Sequence, residues 1–142
     1  MWADTIFRAE QAHLLRVLLW SALSIVAATL IVVMLAVRRV QSPLLRHFAL
    51  QTAIWGVVFA AIAAVRFNTL PMRDIAGAAR LDRMIWFNVG LDVGFVAAGV
   101  VLAASAWTLA KRLGPLGAGL GIVVQGLALL VIDLQFAAAV SR

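Results

Sequence analysis

Four apolar runs, at about 13–37, 47–65, 84–110 and 116–139, constrain this chain more than any other feature. Each is long enough to cross about 30 Å of hydrocarbon, which takes about 20 helical residues. The first carries no charge after Arg16. Hydrocarbon offers backbone N–H and C=O groups no partner, and a small open sheet would leave its edges unpaired, so the runs must span as helices. The composition agrees: 65% of residues are hydrophobic and 13% charged, against about 45–50% and about 25% in soluble domains. The expected fold is all-α, a single four-helix transmembrane bundle over residues 1–142.

The connections set the topology. RRVQSPLLR (38–46) and KRLGP (111–115) are short, basic and contain Pro, which predicts antiparallel hairpins between helices 1 and 2 and between helices 3 and 4. The link from 66 to 83 is longer, and in RDIAGAARLDR its Ile75, Ala78, Ala79 and Leu81 form the apolar side of an expected interfacial helix. One membrane face holds Arg38, Arg39, Arg46, Lys111 and Arg112 with no acid. The other has seven Arg mixed with Asp4, Glu10, Asp74 and Asp82. A raw count of Lys and Arg favours the terminal face as cytoplasmic. The dense, acid-free loops outweigh that count here, so both termini are expected outside. The N-terminal stretch lacks a cleavage-site pattern, and no removable signal peptide is expected. Cysteine is absent, which excludes disulfides and thiolate chemistry. The net charge of +6 resides in Arg residues flanking apolar segments, the pattern of membrane loops and not of a nucleic-acid surface.

Two carboxylates stand inside the runs. A charge at bilayer depth costs at least about 2.5–3.5 kcal/mol, so such a residue faces the bundle interior and has a partner. Asp92 follows Arg83 by nine residues and Asp133 precedes Arg142 by nine, which puts both about 13 Å in from one face. Asn88 and Asp92 share one side of helix 3, with Gly99 further along. Gly119, Gly126 and Asp133 repeat by sevens on helix 4. Such glycine stripes let membrane helices approach closely, and the close approach would bring Asp92 and Asp133 together, with Gln125 and Gln135 as further polar partners. The pair is open to three functional readings: a shared proton, an ion pair with Arg16, Arg66, Arg80 or Arg83, or a bound cation or ligand. The plainer reading is a polar core of Asn88, Asp92, Gln125 and Asp133 that fixes helix register.

Other residues carry weaker signals. Glu10 and His13 form E-x-x-H, a spacing that di-iron bundles use twice, but only one copy is present. They are weak metal candidates, and an interfacial helix start is preferred. His13 and His47 begin different helices at opposite faces, which disfavours a bis-histidine haem. Arg16 and Arg66 are expected to snorkel to headgroups, Trp86 and Trp107 to anchor at the interfaces, Trp20 and Trp55 to pack in the core, and Gln51 to hydrogen-bond within the bundle. No phosphate loop, nucleophile elbow or dinucleotide fingerprint appears.

FNVGLDVGFVAAGVVL (87–102) together with GAGLGIVVQGLALLVIDL (117–134) resembles a family of small bacterial four-helix integral membrane proteins of unknown function. That family pairs N-x-G-L-D-x-[GA]-[YF] on helix 3 with Q-G-x-x-L-L-x-x-D on helix 4. HFALQTAIWGVVFAAIAA (47–64) fits its second helix more loosely, with Gly56 and Phe59 where the family tends to have Asn. The resemblance covers about residues 47–136. It marks Asn88, Gly90, Asp92, Gly94, Gln125, Gly126 and Asp133 as motif positions, and implies a bacterial cytoplasmic membrane location but no activity.

The leading expectation is an accessory or interaction subunit, or a self-associating bundle. In it Gly90, Gly94, Gly99, Gly119 and Gly126 pack helices, and partners are the lipid bilayer and a second copy or a larger membrane complex. The alternative is a ligand- or ion-binding, proton-coupled carrier component using Asn88, Asp92, Gln125 and Asp133. A metal- or quinone-linked redox protein ranks third. No catalytic residue and no cofactor is expected.

Overall fold

The structure, a computed structural model, describes residues 2–141. Among these residues the chain forms four α-helices: α1 (Trp2–Val37), α2 (Pro43–Asn68), α3 (Ile75–Ser105) and α4 (Leu113–Val140), with a π-helical turn at Ala106–Ala110 closing α3. All four are long and apolar enough to cross a membrane. The chain is a multi-pass membrane protein built as an all-α bundle.

Local chemistry sets the helix ends. Ser42 caps α2, its Oγ accepting from the Leu45 N–H at 3.3 Å, and Pro43 occupies the first turn, where its missing N–H costs nothing. Asp74 caps α3 by accepting from the Gly77 N–H at 2.7 Å. At the opposite ends, Arg39 (φ 51°) and Lys111 (φ 46°) take left-handed backbone conformations just after α1 and α3. Glycine usually fills such positions. A cation there faces the negative end of the helix dipole, which offsets part of the conformational cost.

The helices are longer than the apolar runs. α1 starts at Trp2 instead of near His13, and its 36 residues extend about 54 Å, so part of it stands beyond about 30 Å of hydrocarbon. The interfacial helix expected within 66–83 is not a separate element. Residues 66–68 continue α2, and Ile75 already begins α3. The N-cap at Asp74 explains this: once the turn starts, nothing in AGAARLDR stops it from running into the span. Arg142, a depth marker for Asp133, lies outside the described residues.

Among the described residues, α4 packs its backbone closely against neighbouring helices. Its glycines make this possible on two faces. Toward α3, a Cβ on Gly119 would meet the Ala103 N at 2.6 Å and the Gly99 carbonyl at 2.8 Å, and one on Gly126 would meet Val96 at 2.9 Å. Toward α2, Gly117 abuts the Leu44 backbone, and Gly121 and Gly114 lie against Gln51 and His47. Gln51 thus packs its stem on a glycine and, among the described residues, contributes no interhelical hydrogen bond. On α1, Ser21 and Ser24 meet Gly56 of α2 in the same close manner. Gly90 and Gly94 differ: nothing lies within 4 Å of a Cβ at either, so within this chain they face open space and pack no helix.

Two apolar clusters hold the terminal end of the bundle. Ile6, Leu81, Ile85, Phe136 and Ala137 join α1, α3 and α4. Leu14, Val17 and Ala63, with Phe59, Phe67 and Ile132 around them, join α1, α2 and α4. Replacing Gly119 by Leu drives a side chain into the α3 backbone, and overpacking of this kind costs about 1–3 kcal/mol. Gly119→Leu is therefore expected to lower the melting temperature in detergent clearly, whereas Gly90→Leu leaves the melting temperature of the single chain unchanged.

Candidate functional site

The polar residues that the apolar helices bury converge in two tiers. The outer tier lies one to two helical turns beneath the Ile6–Leu81–Phe136 cluster. Asp133 of α4 faces His13 of α1, with Nε2 and Oδ1 3.6 Å apart and both side chains about nine-tenths buried. Phe136, three residues on from Asp133, stacks on the imidazole with centroids 4.3 Å apart and planes 16° from parallel. This fixes the ring's plane. Asp92 of α3 is 6% exposed and close enough for the charge of Asp133 to act on it. Its Oδ2 is buried and has no partner. The Nδ1 of His13 is also buried without a hydrogen bond, and the Ile132 backbone lies beside the ring. Gly126 brings α3 in at this level, since a Cβ there would sit 3.2 Å from the Asp92 carbonyl.

Cations surround the tier but do not enter it. The charges of Arg16 and Arg66 reach His13, and that of Arg66 reaches Asp133. No Arg forms an ion pair with Asp92 or Asp133 among the described residues. Arg66 points its guanidinium to the Met84 sulfur at 3.9 Å, and Arg16, Arg80 and Arg83 are exposed. The ion-pair reading of the two carboxylates therefore does not describe the structure, in which the partner of Asp133 is an imidazole.

Glu10, one turn before His13, has a partner of its own. Arg73 grips it with both arms, Nε to Oε2 at 2.8 Å and Nη2 to Oε1 at 2.7 Å, and Glu10 is 2% exposed. Those hydrogen bonds, and the charge of Glu10 behind them, hold the Arg73 guanidinium still more firmly protonated than a free one. The pair clamps the 69–74 link onto α1. It also takes Glu10 out of any metal set. No three His, Asp or Glu residues converge on a common point among the described residues, and the E-x-x-H pair divides between Arg73 and Asp133.

The inner tier ties α1 to α4. The Trp20 indole N–H donates to Gln125 Oε1 at 2.9 Å, and Gln125 Nε2 donates to Ser24 Oγ at 3.1 Å. Ser21, Thr52 and Trp55 stand buried or half-buried nearby with Oγ, Oγ1 and Nε1 unpartnered. Trp55 meets Phe59 in a stack and Phe95 edge-on. Trp20 is thus a hydrogen-bond donor, whereas Trp55 packs among aromatic rings.

Of the residues singled out in the sequence, Asp92 and Asp133 lie close enough for charge to act between them. Gln125 joins α1 in a separate tier. Asn88 is half-buried and makes no hydrogen bond to the other three, and Gln135 is exposed beside Arg16. The sequence reading missed His13 as the partner of Asp133, together with Trp20 and Ser24 as partners of Gln125. Extending α1 back to Trp2 moves His13 from the membrane entrance to the depth of Asp133, and Trp20 and Ser24 follow on the same face at helical spacing.

Removing Arg73 alone would strand a buried carboxylate, a loss of about 3 kcal/mol. Arg73→Ala should lower the melting temperature strongly. The double variant Glu10→Met/Arg73→Ala should recover most of that loss. Equal melting of wild type and Arg73→Ala would show the clamp to be idle.

No curated protein and no solved structure matches the chain. A family does: its description is a family of unknown function, DUF6992, and it matches residues 16–134. That span takes in α1 from Arg16 onward, both hairpins, and α4 as far as Leu134. This chain belongs to the DUF6992 family of unknown function.

Proposed function

We propose that the protein is a small accessory component of a bacterial cytoplasmic membrane whose His13–Asp133–Asp92 cluster binds a proton inside the bundle. The observation that carries this reading is the buried, unpartnered Oδ2 of Asp92, on a carboxylate within reach of the charge of Asp133, which is itself paired with His13. A polar network kept only to set register is worth most when every member is satisfied. Here a buried imidazole–carboxylate pair lies within reach of the charge of a third buried group, Asp92, whose Oδ2 is unpartnered, and ionisable residues at membrane depth mark proton or ion sites by default. A proton suits this site better than a metal ion, given the lack of a convergent ligand set. Phe136 and the apolar cluster above it shield the group from the terminal side. The acid-free loops carrying Arg38, Arg39, Arg46, Lys111 and Arg112 support a cytoplasmic position for that face, with both termini outside.

A second reading, self-association, draws on the open faces at Gly90 and Gly94. A glycine spacing of four on a lipid-facing helix is a common contact between membrane helices. Loss of oligomers on Gly94→Leu, followed by cross-linking in native membrane, would support it, and an unchanged oligomeric state would remove it.

The proton-binding reading predicts an asymmetry among variants. Asp92→Asn sacrifices no hydrogen bond and should melt like wild type. Asp133→Asn and His13→Leu each break the pair and should cost about 1–3 kcal/mol. Thermal unfolding in detergent measures this. A fall for Asp92→Asn as large as that for Asp133→Asn would favour a register-setting polar core instead.

A further inference from the structure

At the face opposite the polar cluster, α1 and α2 splay apart. Ala28 and Ala49 are still fully buried where the helices touch. Beyond them a groove of about 880 Å³ opens toward the 38–46 loop. Its walls are aliphatic, with Val32, Leu35, Ala36, Leu50 and Ala53 among them, and its polar lining gathers at the loop end as Gln41, Ser42, Arg46 and His47. An apolar slot that ends in a polar, cationic mouth has the polarity of a phospholipid lying along the bilayer normal.

Charge complementarity selects the headgroup. The loops at this face hold Arg38, Arg39, Arg46, Lys111 and Arg112 and no acid. Among the described residues, the ion pairs in the chain lie at the other face, so no carboxylate neutralises these cations. Two of them, Arg39 and Lys111, occupy left-handed positions that glycine would fill without strain, so the sequence keeps the charge where the backbone does not favour it. His47 is turned toward the loop by its Nδ1 contact with the Pro43 carbonyl at 2.8 Å and rests against Gly114 of α4. This extends the mouth toward Lys111 and Arg112. Basic pockets between helices on the cytoplasmic side are known to hold anionic headgroups.

We infer that the α1–α2 groove is a binding site for one anionic phospholipid of the adjoining leaflet, with an acyl chain between Val32, Ala36 and Ala53 and the phosphate at Arg46 and His47. This lipid would fill the splay and join the two halves of the hairpin where no side chain does. The site is separate from the proton-binding cluster and does not depend on it.

The test is native mass spectrometry of delipidated protein titrated with phosphatidylglycerol or phosphatidylcholine of identical acyl chains, with melting temperature as the check on folding. Wild type should retain phosphatidylglycerol preferentially, and the lipid should raise its melting temperature. Arg46→Gln should cut that preference about fivefold while leaving the unliganded melting temperature unchanged. Filling the groove with Ala36→Leu and Ala53→Leu should reduce retention of both lipids. Arg38→Gln, outside the lining, should have a smaller effect than Arg46→Gln. Equal retention of the two lipids by wild type, an unaltered preference in Arg46→Gln, or an Arg38→Gln effect as large as that of Arg46→Gln would each overturn the assignment. If the leucine variants fold poorly, the Arg46 and Arg38 comparison alone decides.

Discussion

Hydrocarbon gives apolar side chains no reason to prefer one another over lipid, so a membrane bundle depends on backbone approach and on polar contacts. In this chain both meet on α4. Gly119 and Gly126 admit α3, and Gly114, Gly117 and Gly121 admit α2, so α4 sits between its neighbours with little side chain in the way. The same closeness puts Asp92 against the helix that bears Asp133. The burial of Asp92 follows from the approach at Gly126, without which its carboxylate would face lipid at a cost of several kcal/mol.

The two polar tiers differ in kind. The inner one pairs Trp20, Gln125 and Ser24 in a directed chain of donors and acceptors. It can hold α1 on α4, and nothing in it titrates. The outer one gathers imidazole and carboxylates with capacity to spare. Beside it, Arg73 donates to both carboxylate oxygens of Glu10. The chain therefore neutralises one buried acid fully and leaves another unpaired only a few turns deeper. That contrast within one bundle supports the view that Asp92 serves the exchange of a proton and not the packing.

Much of this was legible in the sequence. The four apolar runs gave the spans, Ser42–Pro43 and Asp74 mark helix starts, and the sevens from Gly119 to Asp133 gave the α3-facing stripe. The Gly117-x-x-x-Gly121 spacing toward α2 is equally visible. What stayed hidden came from α1. Its charged first turns look like an interfacial tail, because periodicity and hydropathy both fade there, and the helix continues through them on the strength of the Ile6 contact with α3 and α4 and the Arg73 clamp. Those contacts are tertiary and leave no local signal. Misplacing the start of α1 by eleven residues put His13 at the surface and left Asp133 without its partner. The openness of Gly90 and Gly94 was hidden for a similar reason, since a glycine spacing says that a helix can be approached but not whether this chain supplies the neighbour.

His13, Asp133 and Asp92 are proposed to act as one proton-binding unit. The chain has two histidines, so a His47→Gln background leaves His13 as a single reporter. The most direct measurement is nitrogen NMR of the labelled His13 imidazole through a pH titration, in wild-type Asp92 and in Asp92→Asn. Coupled sites titrate as a unit. Asp92→Asn is expected to shift the His13 titration while the fold and melting temperature stay the same. An identical His13 titration with and without the Asp92 carboxylate would contradict it.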